Sequence, residues 1–342
     1  MSMYPTPGNA RPVDPVLSGF VAGLANQESN FVADRILPVI HNSTSTTMGE
    51  ESYSTGTIQR FADNALFGDP SANDVIAPGG TYPRDRGGDF DPLTFACQKY
   101  GRETPVTWEL LKRLQGAGRL GAEQAKLAPM VHTLRLLKEV RMAAYLENAL
   151  WTETHAAAVG WDEDAGNPNL DIITAMESVR GAGIEANTVV FSRSTFAALA
   201  QNNNFLEYMD VGIDRTALYV PGALESVMRG RYGITRVIIA AAIRNTDMDP
   251  TDDPTLEEIF TDQCWVGYLP ETMSSAVTAS GAATDVSILT PTAGARIVEL
   301  DWGVERYQEH QTDSDILKVR YSEVDKVVSP LLGYRITNVQ QA

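Results

Sequence analysis

The residues best spaced for chemistry are Gly116-Ala117-Gly118-Arg119-Leu120-Gly121, which have the glycine spacing of a dinucleotide-binding turn. In that chemistry the glycines let the backbone approach a pyrophosphate at a helix N-terminus, and a later acid, here Glu139, takes a ribose hydroxyl. The mechanism needs a strand running into the turn. The preceding Thr107-Trp108-Glu109-Leu110-Leu111-Lys112-Arg113-Leu114 has helical spacing instead, so a junction between two helices explains the glycines without a ligand. An NAD-dependent enzyme stays as a minor alternative only. Asp247-Met248-Asp249-Pro250-Thr251-Asp252-Asp253, with Glu258 in the twelfth position, approximates a calcium loop. The turn glycine of such loops is replaced by Asp252, and Pro250 disturbs the geometry, so an acidic surface loop is the better reading. His41, His132, His155 and His310 form no HExxH pattern, and no GxSxG or cysteine nucleophile accompanies them. Carboxylates are too abundant for any pair to stand out as acid and base. The expectation is no catalytic residue, no cofactor, no metal and no enzyme.

Composition narrows the classes further. The chain has 342 residues, with 44 acidic against 27 basic side chains and a formal charge of -17. Such a balance argues against gripping nucleic acid through phosphates, which needs clustered Lys and Arg. It does not argue against surrounding nucleic acid. No window reaches the ~18 consecutive apolar residues of a membrane span, and Met1-Ser2-Met3-Tyr4-Pro5-Thr6-Pro7 has no signal-peptide pattern. Two cysteines, Cys97 and Cys264, lie far apart and suit a reducing, cytoplasmic setting.

These features require elements to hold them. Residues 1–42 read as an N-terminal arm and first strand, with Pro5, Pro7, Pro12 and Pro15, a short helix over Val16–Leu24, and an anchoring strand over Phe31–Ile40. Residues 43–98 are rich in Ser, Thr, Gly, Asp and Asn, with weak alternation around Glu51–Thr55 and Leu93–Cys97. That pattern predicts a long two-stranded excursion. Two strands alone are marginal in water, so the hairpin needs a partner surface. The strongest helix spans about 122–151, where Leu127, Met130, Val131, Leu134, Leu137, Val140, Ala144 and Leu150 recur near the helical period. After turn residues 160–168 the pattern changes to helices over 171–180, 194–200 and 224–230 with buried strands over 187–191, 235–243 and 258–268. This predicts a mixed α/β unit over 169–300. Residues 301–342 alternate like closing strands.

The order of these pieces resembles the tailed-bacteriophage major capsid proteins of the Hong Kong 97-like fold. Phe31-Val32-Ala33-Asp34-Arg35-Ile36-Leu37-Pro38-Val39 is similar to the family's arm-to-core phrase, and the polar stretch after it takes the place of the extended loop. Arg135-Leu136-Leu137-Lys138-Glu139-Val140-Arg141-Met142-Ala143-Ala144 sits where the spine helix does. Asn187-Thr188-Val189-Val190-Phe191-Ser192, with Phe196 and Leu199, resembles the axial strand–helix pair. Val324-Asp325-Lys326-Val327-Val328 and Gly333-Tyr334-Arg335-Ile336-Thr337-Asn338-Val339 resemble the closing strands.

The resemblance implies an α+β chain with an arm, an extended loop, a peripheral domain over 99–168 carrying the spine helix, and an axial domain over 169–300. It implies pentamers and hexamers in an icosahedral head around double-stranded DNA, assembled in the host cytoplasm into a virion. An encapsulin-type nanocompartment is the alternative. Arg60, Phe61, Arg84, Arg86 and Phe90 of the loop, with Tyr4 and Phe20 of the arm, are the expected inter-subunit contacts. No lysine occurs between Ser43 and Gln98, so the covalent cross-link of some relatives is not expected, and a decoration protein is a possible reinforcement. The core-like sequence starts almost at once, which implies a separate scaffolding protein; a portal completes the expected partners. No membrane and no sequence-specific DNA contact are expected.

Overall fold

The computed structural model describes residues 14–25, 31–41, 55–61, 90–107, 109, 112, 118–151, 153–208, 221–246, 255–271, 288–289, 291–309 and 314–340. Two sheets organise them. The first has four strands in the order β1 (Val39–His41), β12 (Gly294–Glu309), β13 (Ser314–Val327) and β4 (Gln98–Thr107). β12 and β13 form a long antiparallel hairpin, β4 runs antiparallel along β13, and β1 joins parallel to β12. The second is a mixed five-stranded sheet in the order β5 (Glu153–Ala156), β14 (Gly333–Thr337), β10 (Gln263–Gly267), β6 (Thr188–Ser192) and β7 (Arg236–Ala240). The chain's last described strands are thus divided. β13 stays in the first sheet while β14 crosses to the second, pairing antiparallel with β10 and parallel with β5.

Helix α3 spans Gly118–Leu146, 29 residues, or about 44 Å at 1.5 Å per residue. Its first half packs on the four-stranded sheet together with α1 (Pro15–Ala25): Leu17, Val21, Leu127, Val131, Leu134, Val304, Leu317 and Val319 make one core. Its second half, with the short helix α2 (Ala33–Ile36), enters the larger core of the five-stranded sheet. Helices α4 (Pro168–Gly181), α5 (Arg193–Gln201), α6 (Asn203–Tyr208) and α7 (Pro221–Tyr232) supply the rest of that core. Local chemistry explains their starts. Asn167 accepts the Leu170 amide at the head of α4, where Pro168 opens the first turn, and Ser192 accepts the Thr195 amide at the head of α5.

Several expectations change. Phe31–Ile40 is not one strand: Ala33–Ile36 is helical, and only Val39–His41 pairs in a sheet. The stretch expected as a strand over 258–268 is two strands, β9 (Leu256–Glu258) and β10, separated by a turn in which Asp262 adopts φ 45°. Residues 294–300 were expected in the mixed α/β unit and not in a closing strand, yet they begin β12, at 16 residues the longest strand among the described residues. Its register shifts between Val298 and Leu300 and again between Leu300 and Gly303, and those irregularities break the period-two signal that would have revealed it. The helix expected to reach Trp151 ends at Leu146, and Pro129 lies inside it rather than at its start.

Candidate functional site

The excursion predicted from alternation is present as an antiparallel pair, β2 (Thr55–Phe61) with β3 (Phe90–Ala96), in register from Thr55 opposite Ala96 to Phe61 opposite Phe90. It is not two-stranded at its root. β11 (Ile288–Leu289) adds a third strand parallel to β2. Ile58 and Phe95 bury against Ile40, Ala295, Ile297 and Val328 of the four-stranded sheet, which supplies the stability that two strands lack. Arg60 on β2 donates to the Val328 carbonyl and reaches Asp91 Oδ2 at 3.4 Å. The root is therefore fixed to its own chain, and residues 62–89 connect the paired ends.

Beneath this root lies a buried charge cluster that spans four elements. Arg296 on β12, 1% exposed, donates from Nε to Asp325 Oδ1 at 2.6 Å and from Nη1 to Asp34 Oδ1 at 2.8 Å. Lys138 on α3 pairs with Asp34 and with Glu323 Oε2, the latter at 2.8 Å. Arg141 Nη2 lies 2.7 Å from Glu323 Oε1 and 3.0 Å from the Tyr321 hydroxyl, with its guanidinium 3.8 Å above the Tyr100 ring. Burial works to raise the Asp34 carboxyl, but Lys138 and Arg296 outweigh it and hold it below its usual value. Glu139, also buried, accepts the Ala33 amide at 2.7 Å and so closes the head of α2. Burial dominates there and pushes Glu139 up to about 7, against the amides of Ala33 and Val32 that favour the carboxylate. Every charge is paired or hydrogen-bonded to another element. The cluster ties arm, long helix and sheet together and has the character of a structural lock.

Sequence periodicity treated Leu127 to Ala144 as one core stripe. The structure splits it. Leu127, Met130, Val131 and Leu134 are buried, but Leu137 is 42% exposed and Ala144 faces outward. The inward positions of the second half hold Arg135, Lys138 and Glu139 instead. From Pro129 to Ala144 the exposed residues are Pro129, His132, Leu137 and Ala144, so this face carries no ionised acid or lysine. This stretch turns three charged side chains inward beside the buried Met142 and Ala143 and leaves Leu137 outward.

Beside this face stands the two-stranded ribbon of β8 (Ile243–Asn245) and β9, with Ile243 51% and Leu256 62% exposed. Between helix and ribbon run two cavities. One, of about 540 Å³, is lined by Phe31, Val131, Leu136, Ala242 and Ile243 among others; the second, of about 780 Å³, by Ala144, Glu147, Arg244, Glu257 and Glu258 among others.

Chemistry elsewhere is sparse. Among the described residues no group of three His, Cys, Asp or Glu side chains is placed to hold a metal. Both cysteines are free and buried; burial, with Glu299 and Glu323 nearby, pushes the Cys97 thiol up to about 11, and burial likewise raises Cys264. Of the glycine motif, Gly118 to Gly121 form the first turn of α3, and the last described strand before it, β4, ends at Thr107. Among the described residues no helix is long and apolar enough to cross a membrane. Of the expected contact residues, Arg60 is tied to Val328 and Asp91, and Phe20 packs against the core shared by α1 and α3. Phe61 and Phe90 face each other across the last described pair of the hairpin. Tyr4, Arg84, Arg86, His310 and residues 247–254 lie outside the described residues.

A sheet-backed long helix, a second mixed sheet and a projecting hairpin define an α+β fold of the capsid class. No protein-family model and no curated protein matches the chain, and the likeness is structural. The chain is similar to a phage-related protein from Bordetella bronchiseptica, with 18% identity and a TM-score of 0.65 over 97% of this chain and 99% of the other. It is similar to the mature capsid protein of bacteriophage PhiM1, with 13% identity and a TM-score of 0.53 over 98% and 91%. It is also similar to the virus-like particle protein of Pyrococcus furiosus, with 10% identity and a TM-score of 0.51 over 93% and 96%. The chain has the capsid fold that its sequence resembled.

Proposed function

We propose that the chain is the major shell protein of a tailed-bacteriophage head, forming pentamers and hexamers that tile an icosahedral particle around double-stranded DNA. The observation that carries this reading is the likeness to a mature bacteriophage capsid subunit over nearly the full length of both chains. The structure supports it physically. A hairpin root fixed to its own chain carries an excursion of 28 residues between Phe61 and Phe90, and the long helix turns an apolar face outward. Both features suit a subunit whose surface is completed by neighbours. The role is structural, with no catalysis and no cofactor. The charge of -17 fits a container that does not bind its DNA through phosphates. A separate scaffolding protein, a portal and a decoration protein are the proposed partners, and the virion shell, assembled in the host cytoplasm, is the proposed location.

Native mass measurement of the purified protein tests this directly. Megadalton particles are expected, and a small oligomer would overturn the reading. The likeness to a virus-like particle favours one second reading, an encapsulin-type shell around protein cargo. Nucleic acid inside the purified particles supports the phage reading, whereas a co-purifying cargo protein and no DNA supports the other.

A further inference from the structure

The five-stranded sheet carries opposite charge at the two ends of its edge strand β7. At the start of β7, Arg236 donates to the Arg35 carbonyl, and Arg229 at the end of α7 donates to the Thr235 carbonyl at 3.2 Å. Arg231 follows on the last turn of the same helix. Three guanidiniums, those of Arg35, Arg229 and Arg236, thus gather at one corner of a strongly acidic protein, whereas Arg231, two residues beyond Arg229 on the helix, stands over the Tyr208 ring. Arg229, 62% exposed, has Glu225 at 3.5 Å, and Glu271 acts on Arg236. Arg35 and Arg231 have no carboxylate partner among the described residues.

Beyond the other end of β7, which spans Arg236–Ala240, stands the β8–β9 ribbon. Glu147, Glu257, Glu258 and Asp262 line the 780 Å³ groove between it and α3. Arg244 is the one cation among the lining residues, and it lies 3.7 Å from Glu257. Among the described residues the ribbon has no third strand, and it exposes Ile243 and Leu256. Two strands without cover are marginal in water.

We propose that in the assembled ring the acidic groove between α3 and the β8–β9 ribbon of one copy receives the basic corner of the next copy, Arg35, Arg229 and Arg236. This inference rests on the shell reading above. Two different, complementary patches at opposite ends of one rigid strand cannot make a two-fold contact with themselves. They make a head-to-tail contact, which closes into a ring when the rotation allows. Charge complementarity also fixes the register and rejects the reversed neighbour, because like charges face each other in every other pairing.

Charge reversal tests it. Glu257→Arg with Glu258→Arg, and separately Arg35→Glu with Arg229→Glu, are each expected to lower particle yield about tenfold or more, while the dissociated subunits keep wild-type circular dichroism and melting temperature. All four substitutions together are expected to restore particles. If a reversal disturbs the subunit, Glu257→Gln with Glu258→Gln replaces it, and the yield is then expected to fall less steeply. Wild-type yields from the folded reversals, or no recovery in the combined variant, would overturn the contact and leave the shell reading standing. Wild-type protein that never forms particles would remove the shell reading itself.

Discussion

Arg296 grips Asp325 across the β12–β13 ladder, Nε to Oδ1 at 2.6 Å and Nη2 to Oδ2 at 3.3 Å, from directly opposed register positions. The same guanidinium reaches Asp34 on α2, so one side chain joins the arm segment to both strands of the long hairpin. Burial acts against its charge, but Asp325, Glu323 and Asp34 outweigh it and raise Arg296 above its usual value. Its removal leaves the buried side chain of Asp325 without its ion pair, while Asp34 and Glu323 keep Lys138. Arg296→Ala is expected to destabilise the dissociated subunit by about 3–5 kcal/mol, read from denaturant unfolding. A loss under about 1 kcal/mol would mean that Asp325 finds water instead.

Glu139 sets the pH response of the α2–α3 junction. Its folded pKa of about 7 lies above the ordinary 4.5, so the folded state holds a proton that the unfolded state releases. Its contribution is therefore full below about pH 4.5 and is lost as pH rises through 7. Glu139→Gln is expected to raise the melting temperature relative to wild type at pH 8 and to change it little at pH 5. Equal shifts at both values would show that Glu139 titrates normally.

The long connection of the hairpin has a job separate from folding the subunit. Phe61 and Phe90 are paired, so Asn-Gly can replace residues 62–89 as a two-residue turn. The shortened chain keeps Ile58, Phe95 and Arg60 in place. Its subunits are expected to melt as wild type does and to form no closed shells by electron microscopy. Particles of normal yield would show that the excursion is surface decoration.

Gly333 is needed for close approach rather than for an unusual backbone angle. A Cβ there would stand 2.5 Å from Trp151 Cζ3 and 2.9 Å from Trp265 Cζ2. These two rings pack edge to face at 5.5 Å where β14 crosses β10, and neither can retreat from the core. Gly333→Ala is expected to cost about 1–3 kcal/mol, measurable by thermal unfolding with tryptophan fluorescence as the local probe.

Assembly is expected to be non-covalent, because residues 43–98 contain no lysine and Lys99 is the first, on β4. Particles boiled in detergent should yield a single band at the 37.2 kDa of one chain. A ladder of multiples would show a cross-link by another route.

Much of this protein was readable from local pattern. The helical period over 122–146, the uniformly buried Thr188–Ser192 strand and the alternation of Ser314–Val327 all report what a segment does with its own neighbours. The acidic balance excluded a phosphate-gripping protein by arithmetic alone. The weakness of the glycine motif was local too, since the preceding Thr107–Leu114 has helical spacing and not that of a strand.

Tertiary structure decided which faces are covered. Periodicity shows that Leu134, Leu137 and Ala144 lie along one helix, but not that Leu134 is covered while Leu137 and Ala144 are left outward, nor that Asp34 and Glu323 draw Lys138 inward. Those partners come from positions about 100 to 190 residues away, and a buried charge is tolerated only where such partners meet it. For the same reason the third strand at the hairpin root, Ile288–Leu289, was invisible: two residues carry no period, and only their pairing with Gln59 and Arg60 makes them a strand. A sequence specifies its elements through near neighbours. Which charge is buried and which leucine is left for another molecule depends on contacts that only the folded chain brings together.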